Sequence, residues 1–129
     1  MVQVLSSASR IWNRAAVENG GTHPKEGDVA LASMVAMHGM IMNGGVDHAL
    51  EVFSSAKLAA GIGGYQYFGL LEVAAMLQQA VSSPPTDWEA VNRKYGRLVP
   101  NDQSLVAVFE ARLLTSPESF SPLLEEDHA

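Results

Sequence analysis

The sequence predicts an all-α protein, a single globular domain of about five to seven helices around a central apolar helix at about residues 27–42. Apolar residues recur every three or four positions along most of the chain, which is the spacing of one helix face. No segment longer than a few residues alternates apolar and polar side chains as a strand does. An uncharged run, residues 29–42, stops at Asn43, Gly44 and Gly45, which we interpret as a structural turn.

The first predicted helix covers about residues 2–19, where apolar side chains from Val4 to Ala16 line one face. Two glycines follow it. Gly20 or Gly21 is expected to adopt the left-handed conformation that closes a helix, and Pro24 opposes continuation.

The central helix is predicted to begin between Pro24 and Asp28, where Glu26 and Asp28 would lie at its positive end. Only Ser33 and His38 interrupt its apolar run. We therefore expect neighbouring helices to surround it. A buried imidazole must find hydrogen-bond partners or incur a desolvation cost, so we interpret His38 as a satisfied core histidine rather than a catalytic group.

Four further helices are bounded by turn residues. They are predicted at residues 46–60, 65–81, 88–96 and 103–115, with a short turn from residue 116. The glycine-rich segment 61–64 is interpreted as the link between the first two, and Thr86 or Asp87 as the N-cap of the third. We expect residues 1–22 to form an N-terminal helix and loop, residues 24–120 the core, and residues 121–129 a flexible acidic tail.

The composition narrows the function classes. The 129 residues include no cysteine and carry a net charge of −6, which argues against a disulfide framework and against direct nucleic-acid binding. The start of the chain does not resemble a secretory signal, and the apolar run is shorter than the roughly 20 residues that cross a bilayer. We expect a cytoplasmic protein without membrane attachment.

A few residues invite a chemical interpretation. His48 and Glu51 lie three positions apart with Asp47 beside them and His38 one helix earlier, yet zinc needs three or four converging ligands and helical iron sites need repeated Glu-x-x-His pairs. The glycine-rich segment 61–64 lacks the residues of a phosphate-binding loop. We predict no catalytic residues, no metal and no cofactor.

Arg93, Lys94 and Arg97 form the one basic cluster. Two interpretations of this cluster are open, a solvated helix end or a contact with an acidic partner. Four methionines of the central helix, residues 34, 37, 40 and 42, are interpreted as core filling, because they do not share one face.

The order of several blocks resembles a bacterial family of unknown function that includes the C-terminal-domain-like region of a DNA-mimic protein. The matching blocks are the apolar helix ending in Asn43-Gly44-Gly45, GLLEVAAMLQQA at residues 69–80, YGRLVPND at 95–102, and PESF at 117–120. Family members usually continue the turn with Phe and a Gln-aromatic pair, whereas this chain has VDHAL at 46–50. The resemblance implies an all-helical domain and, for some members, an acidic surface that imitates DNA phosphates.

These observations predict a non-catalytic protein-interaction module, in the manner of a DNA mimic, that binds a partner through an acidic helical surface. Glu26 with Asp28, and Asp47 with Glu51, are the predicted partner-binding residues. The partner would be a DNA-binding protein or, in the alternative of an immunity or antitoxin protein, a toxin. A metal-dependent enzyme using His38, His48 and Glu51 is the third alternative.

Overall fold

A computed structural model describes residues 6–123 of the protein, and within this range it contains seven α-helices and no strand. The all-α prediction is therefore confirmed. The helices are α1 (Ser7–Glu18), α2 (Glu26–Gly44), α3 (Val46–Val52), α4 (Ser55–Tyr67), α5 (Leu71–Ser82), α6 (Trp88–Leu98) and α7 (Asp102–Thr115), followed by a 3₁₀ helix (Pro117–Ser119).

Short polar side chains begin most of these helices. Ser6, Ser54, Asp87 and Asn101 each accept a hydrogen bond from a backbone N–H of the first turn of the following helix. Such bonds satisfy donors that the helix itself leaves without a partner. Asp87 is thus the N-cap of α6, as predicted. Asn19, in the left-handed region at φ 53°, closes α1 in place of the predicted Gly20 or Gly21, which follow it with φ values of 98° and 94°.

Helix α2 provides the centre of the core, with Leu31, Met34 and Met37 fully buried. Its end at Gly44 and the positive φ of 95° at Gly45 confirm the predicted turn. Neighbouring elements cover most of α2, as expected, and leave Val29 50% exposed and Met42 59% exposed.

Helix α4 packs against α2 through two glycines. A Cβ on Gly64 would lie 2.6 Å from the Ala30 carbonyl oxygen, and a Cβ on Gly61 would lie 3.0 Å from the Met37 Cβ. Because later residues of α4 meet earlier residues of α2, the two helices run antiparallel. The predicted helix end at residues 61–64 is wrong, since these glycines lie inside α4 and allow the two backbones to approach closely.

The predicted helix at residues 46–60 is two helices, because the extended conformation of Phe53 ends α3 and Ser54 caps α4. The other boundaries lie close to their predicted positions, except that α5 begins at Leu71 rather than near residue 65. No single described helix is long and apolar enough to span a membrane. Helices α2 and α3 together meet the length and composition criteria of a span, but they are bent by 118°.

An aromatic cluster closes the core beneath α1 and α7. Phe109 contacts the rings of Trp12, Phe68 and Phe120 at centroid distances of 5.8, 6.4 and 5.6 Å. Phe120 follows the 3₁₀ helix, so the cluster attaches the C-terminal segment to the helical body. Residues 1–5 of the predicted N-terminal helix and loop, and residues 124–129 of the predicted tail, lie outside the described residues.

Candidate functional site

A groove lies between α5 and α6, where residues 83–87 connect the two helices. Its volume is about 300 Å³, at the lower end of the roughly 300–1,000 Å³ of ligand-binding clefts. Met76 and Ala80 are buried and form its floor, and the half-buried Pro85 and Val91 lie on its sides. The groove is lined by Glu72, Ala75, Met76, Gln79, Ala80, Ser83, Pro85, Val91 and Lys94.

The spacing of these residues explains why they share one groove. The lining residues of α5 recur every three or four positions, so they form one stripe along the helix. On α6, Val91 and Lys94 are also three positions apart. The result is a concave apolar surface with polar side chains along its edge, which is the usual composition of a binding cleft.

The edge of the groove is basic on the α6 side and acidic on the α5 side. Lys94 lines the groove, and Arg93 and Arg97 are exposed on the same helix. Within residues 6–123 none of the three makes an ion pair or hydrogen bond through its side chain. Glu72 is the one carboxylate that lines the groove. Lys94 is thus the one basic residue of the described chain that lines the groove, and the two arginines add positive charge on the same helix, although the net charge of the protein is −6.

A chain of hydrogen bonds through the core includes His38. The imidazole Nδ1 lies 2.7 Å from the hydroxyl of Tyr95, whose oxygen lies 2.6 Å from that of Tyr65, and the imidazole Nε2 lies 2.8 Å from a carboxylate oxygen of Asp102. A carboxylate can only accept, so Nε2–H donates to Asp102. In neutral His38, Nδ1 then accepts from Tyr95, and Tyr95 accepts from Tyr65, so every proton of the chain has an acceptor.

Burial raises the pKa of both phenols above its ordinary value of 10. The neighbouring Tyr95 adds to the rise at Tyr65. At Tyr95 the hydrogen bond with Tyr65 opposes the rise, and the charge of Asp102 adds to it. Both phenols therefore stay protonated in the folded protein at neutral pH. The prediction that buried His38 finds hydrogen-bond partners is confirmed. None of the residues in this series of hydrogen bonds lines the groove.

Asp28 is wrongly predicted as a partner-binding residue. Its side chain is fully buried and pairs with Arg14 at 2.9 Å, and Arg14 is itself only 6% exposed. The second oxygen of Asp28 accepts hydrogen bonds from the backbone N–H groups of Lys25 and Ser121. Arg14 also donates to the carbonyl oxygens of Ser121 and Pro122. The first residues of the predicted tail are therefore bound to the helical body by this ion pair.

The other predicted partner-binding acids lie in different surroundings. Glu26 and Glu51 are exposed, on the first turn of α2 and near the end of α3. Asp47 is half-buried and lies 3.4 Å from the side-chain nitrogen of Asn92, whose oxygen accepts a hydrogen bond from the Val46 N–H. Only two of the four predicted acids are therefore fully available to a partner.

Among residues 6–123 there is no group of three or more His, Asp or Glu residues that could hold a metal ion. His48 packs against the end of α2, since a Cβ on Gly44 would lie 2.6 Å from its ring. His38 is enclosed in the core. The structure therefore does not bring the two histidines of the metal interpretation together with Glu51.

Sequence reasoning did not find the groove. It identified the basic cluster of α6 and the amphipathic pattern of α5, but the closeness of residue 76 to residue 91 depends on how the two helices pack. The two prolines at 84–85 predict a turn, but they do not determine the angle between α5 and α6 on which the groove depends.

None of the family models, curated proteins or solved structures compared with the chain matches it. The resemblance to the DNA-mimic-related family therefore stays a prediction. The fold and the site together define the class of protein as an all-α domain with an apolar groove beside the basic helix α6.

Proposed function

We propose that the protein is a non-catalytic protein-interaction module that binds a partner in the groove between α5 and α6. The observation that carries this proposal is the groove itself, a cleft with a buried apolar floor and free polar side chains along its edge. Water in such a cleft is displaced favourably by an apolar side chain of a partner, which stabilises a complex in proportion to the apolar area covered.

The polar chemistry elsewhere supports binding rather than catalysis. The chain of His38, Tyr95 and Tyr65 is satisfied internally, and burial keeps the two phenols protonated. The ion pair of Arg14 with Asp28 joins α1, α2 and the C-terminal segment. These groups stabilise the fold, whereas the side chains at the groove are left free to contact another molecule.

The test is a comparative pull-down with two variants that change the charge equally. Ala75→Glu places a carboxylate in the groove, and Ala107→Glu places one on the exposed surface of α7. Both alanines are exposed in helices, so neither substitution disturbs the core. A partner captured by the wild type and by Ala107→Glu, and lost with Ala75→Glu, supports the groove. Equal capture by all three proteins refutes it.

The same experiment addresses the predicted acidic surface. If a DNA-binding protein is captured by the wild type, released by salt and lost with a Glu26→Gln, Glu51→Gln double variant, the DNA-mimic prediction is supported instead of the groove. A toxin-like enzyme that resists the salt wash would favour the immunity or antitoxin alternative.

A further inference from the structure

We infer that the occupant of the groove is an acidic peptide segment of a partner protein, with a bulky apolar side chain on the groove floor and carboxylates directed towards α6. This inference rests on the proposed function, and it adds the chemical class of the partner. Its basis is the asymmetry of charge around the groove.

The apolar part of the occupant follows from the floor. Met76 and Ala80 are buried, and Pro85 and Val91 add apolar surface on the sides. Methionine adapts its shape to different neighbours because it is unbranched and flexible. The groove therefore accepts a leucine, methionine or phenylalanine anchor, the type of residue that contributes most of the affinity at the centre of an interface.

The acidic part follows from the cations. Lys94 lines the groove, and Arg97, three positions later, is its neighbour on the surface of α6. Arg93 precedes them, and the described part of the chain offers none of the three a carboxylate partner within ion-pair distance. A carboxylate on a bound segment would pair with these residues. Glu72, on the α5 side, repels carboxylates and so directs them towards α6.

The net charge distinguishes a peptide from larger anionic partners. An anionic membrane or a nucleic acid presents many charges over a wide surface and would face the whole protein, whose net charge is −6. A short peptide senses mainly charges within the screening length, about 8 Å at physiological salt. Local basic charge therefore attracts a peptide, while the overall charge repels a bilayer or a duplex.

The experiment measures binding of fluorescein-labelled synthetic peptides to the protein of residues 1–129 by fluorescence anisotropy. The probe is an amphipathic peptide of leucine and glutamate. One control peptide has glutamine in place of every glutamate, and a second has serine in place of every leucine. The protein variants are the triple substitution of Arg93, Lys94 and Arg97 to glutamine, Glu72→Gln, and Ala75→Glu, with Lys57→Gln on α4 as the control for loss of an exposed cation.

The triple variant should weaken binding of the acidic peptide about tenfold or more, since exposed ion pairs each change affinity roughly two- to fivefold. Glu72→Gln should strengthen binding about two- to fivefold, because it removes a like charge. Lys57→Gln should have little effect, and the serine peptide should bind poorly. Circular dichroism verifies that every variant is folded.

The outcomes separate this inference from the proposed function. If the glutamine peptide binds as tightly as the acidic one, and Ala75→Glu abolishes both, the groove binds peptides but the acidic specificity is wrong. If Ala75→Glu leaves binding unchanged, both are wrong. Tighter binding to anionic phosphatidylserine vesicles than to the acidic peptide also overturns the inference.

Discussion

The contact between α2 and α4 predicts that two adjacent glycines respond oppositely to the same substitution. An alanine Cβ at position 64 would lie 2.6 Å from the Ala30 carbonyl oxygen and 3.0 Å from the Met34 backbone nitrogen. These backbone atoms belong to the central helix and cannot move as a side-chain end can. At position 63 a Cβ would have no neighbouring atom within 4 Å.

The magnitudes follow from two effects. Replacing glycine by alanine inside a helix stabilises it by about 1 kcal/mol, and this gain applies at both positions. Overpacking typically costs about 1–3 kcal/mol, and the Gly64→Ala contact with rigid backbone belongs at the upper end of that range. We expect Gly63→Ala to stabilise the protein by up to about 1 kcal/mol and Gly64→Ala to destabilise it by about 2 kcal/mol. The difference between the changes in free energy of unfolding of the two variants measures the cost of the close contact at position 64.

The assay is urea unfolding followed by far-UV circular dichroism, with the free energies of unfolding extrapolated to water. Gly63→Ala is the matched control, since it lies in the same helix and makes the same chemical change. Equal free energies of unfolding for the two variants, within about 0.5 kcal/mol, would refute the close approach of the helices.

Two further predictions concern the buried polar groups. Asp28→Ala leaves the charge of Arg14 buried without its carboxylate, so it should lower the free energy of unfolding in urea by about 3–5 kcal/mol. Glu26→Ala, at an exposed position, should change the free energy of unfolding by less than about 0.5 kcal/mol. Similar losses for the two variants would contradict the burial of the ion pair. Because the folded-state pKa values of Tyr65 and Tyr95 are raised, their stabilising effect is complete below about pH 10 and declines above it. The decline should be about 1.4 kcal/mol per pH unit for each phenol, and Tyr65→Phe should remove one of the two contributions, so an unchanged pH slope in that variant would refute the raised pKa.

The errors in helix boundaries arose where local signals have two meanings. Glycines commonly end helices, and at Gly44 and Gly45 they do. At Gly61 and Gly64 they allow close packing inside α4 instead. The difference depends on whether another helix passes close by, and residues adjacent in sequence carry no information about that neighbour.

The candidate site shows the same limit. Asp28 has the position of an acid that favours a helix start, and it also bonds to the backbone N–H of Lys25 within that first turn. Its pairing with Arg14 and its contact with Ser121 join residues distant in the chain. The sequence therefore does not reveal that Asp28 belongs to a buried ion pair while Glu26, two positions earlier, is exposed.

The sequence by itself determined the helical class, the N-cap of α6, the core methionines Met34 and Met37, and the turn at Asn43-Gly44-Gly45, because apolar periodicity and capping act over a few residues. Only the tertiary structure decided that Asp28 is buried, that α4 continues through its glycines and that α5 and α6 enclose a groove. Each of these depends on the relative placement of separate helices, which is set by packing between side chains far apart in the sequence.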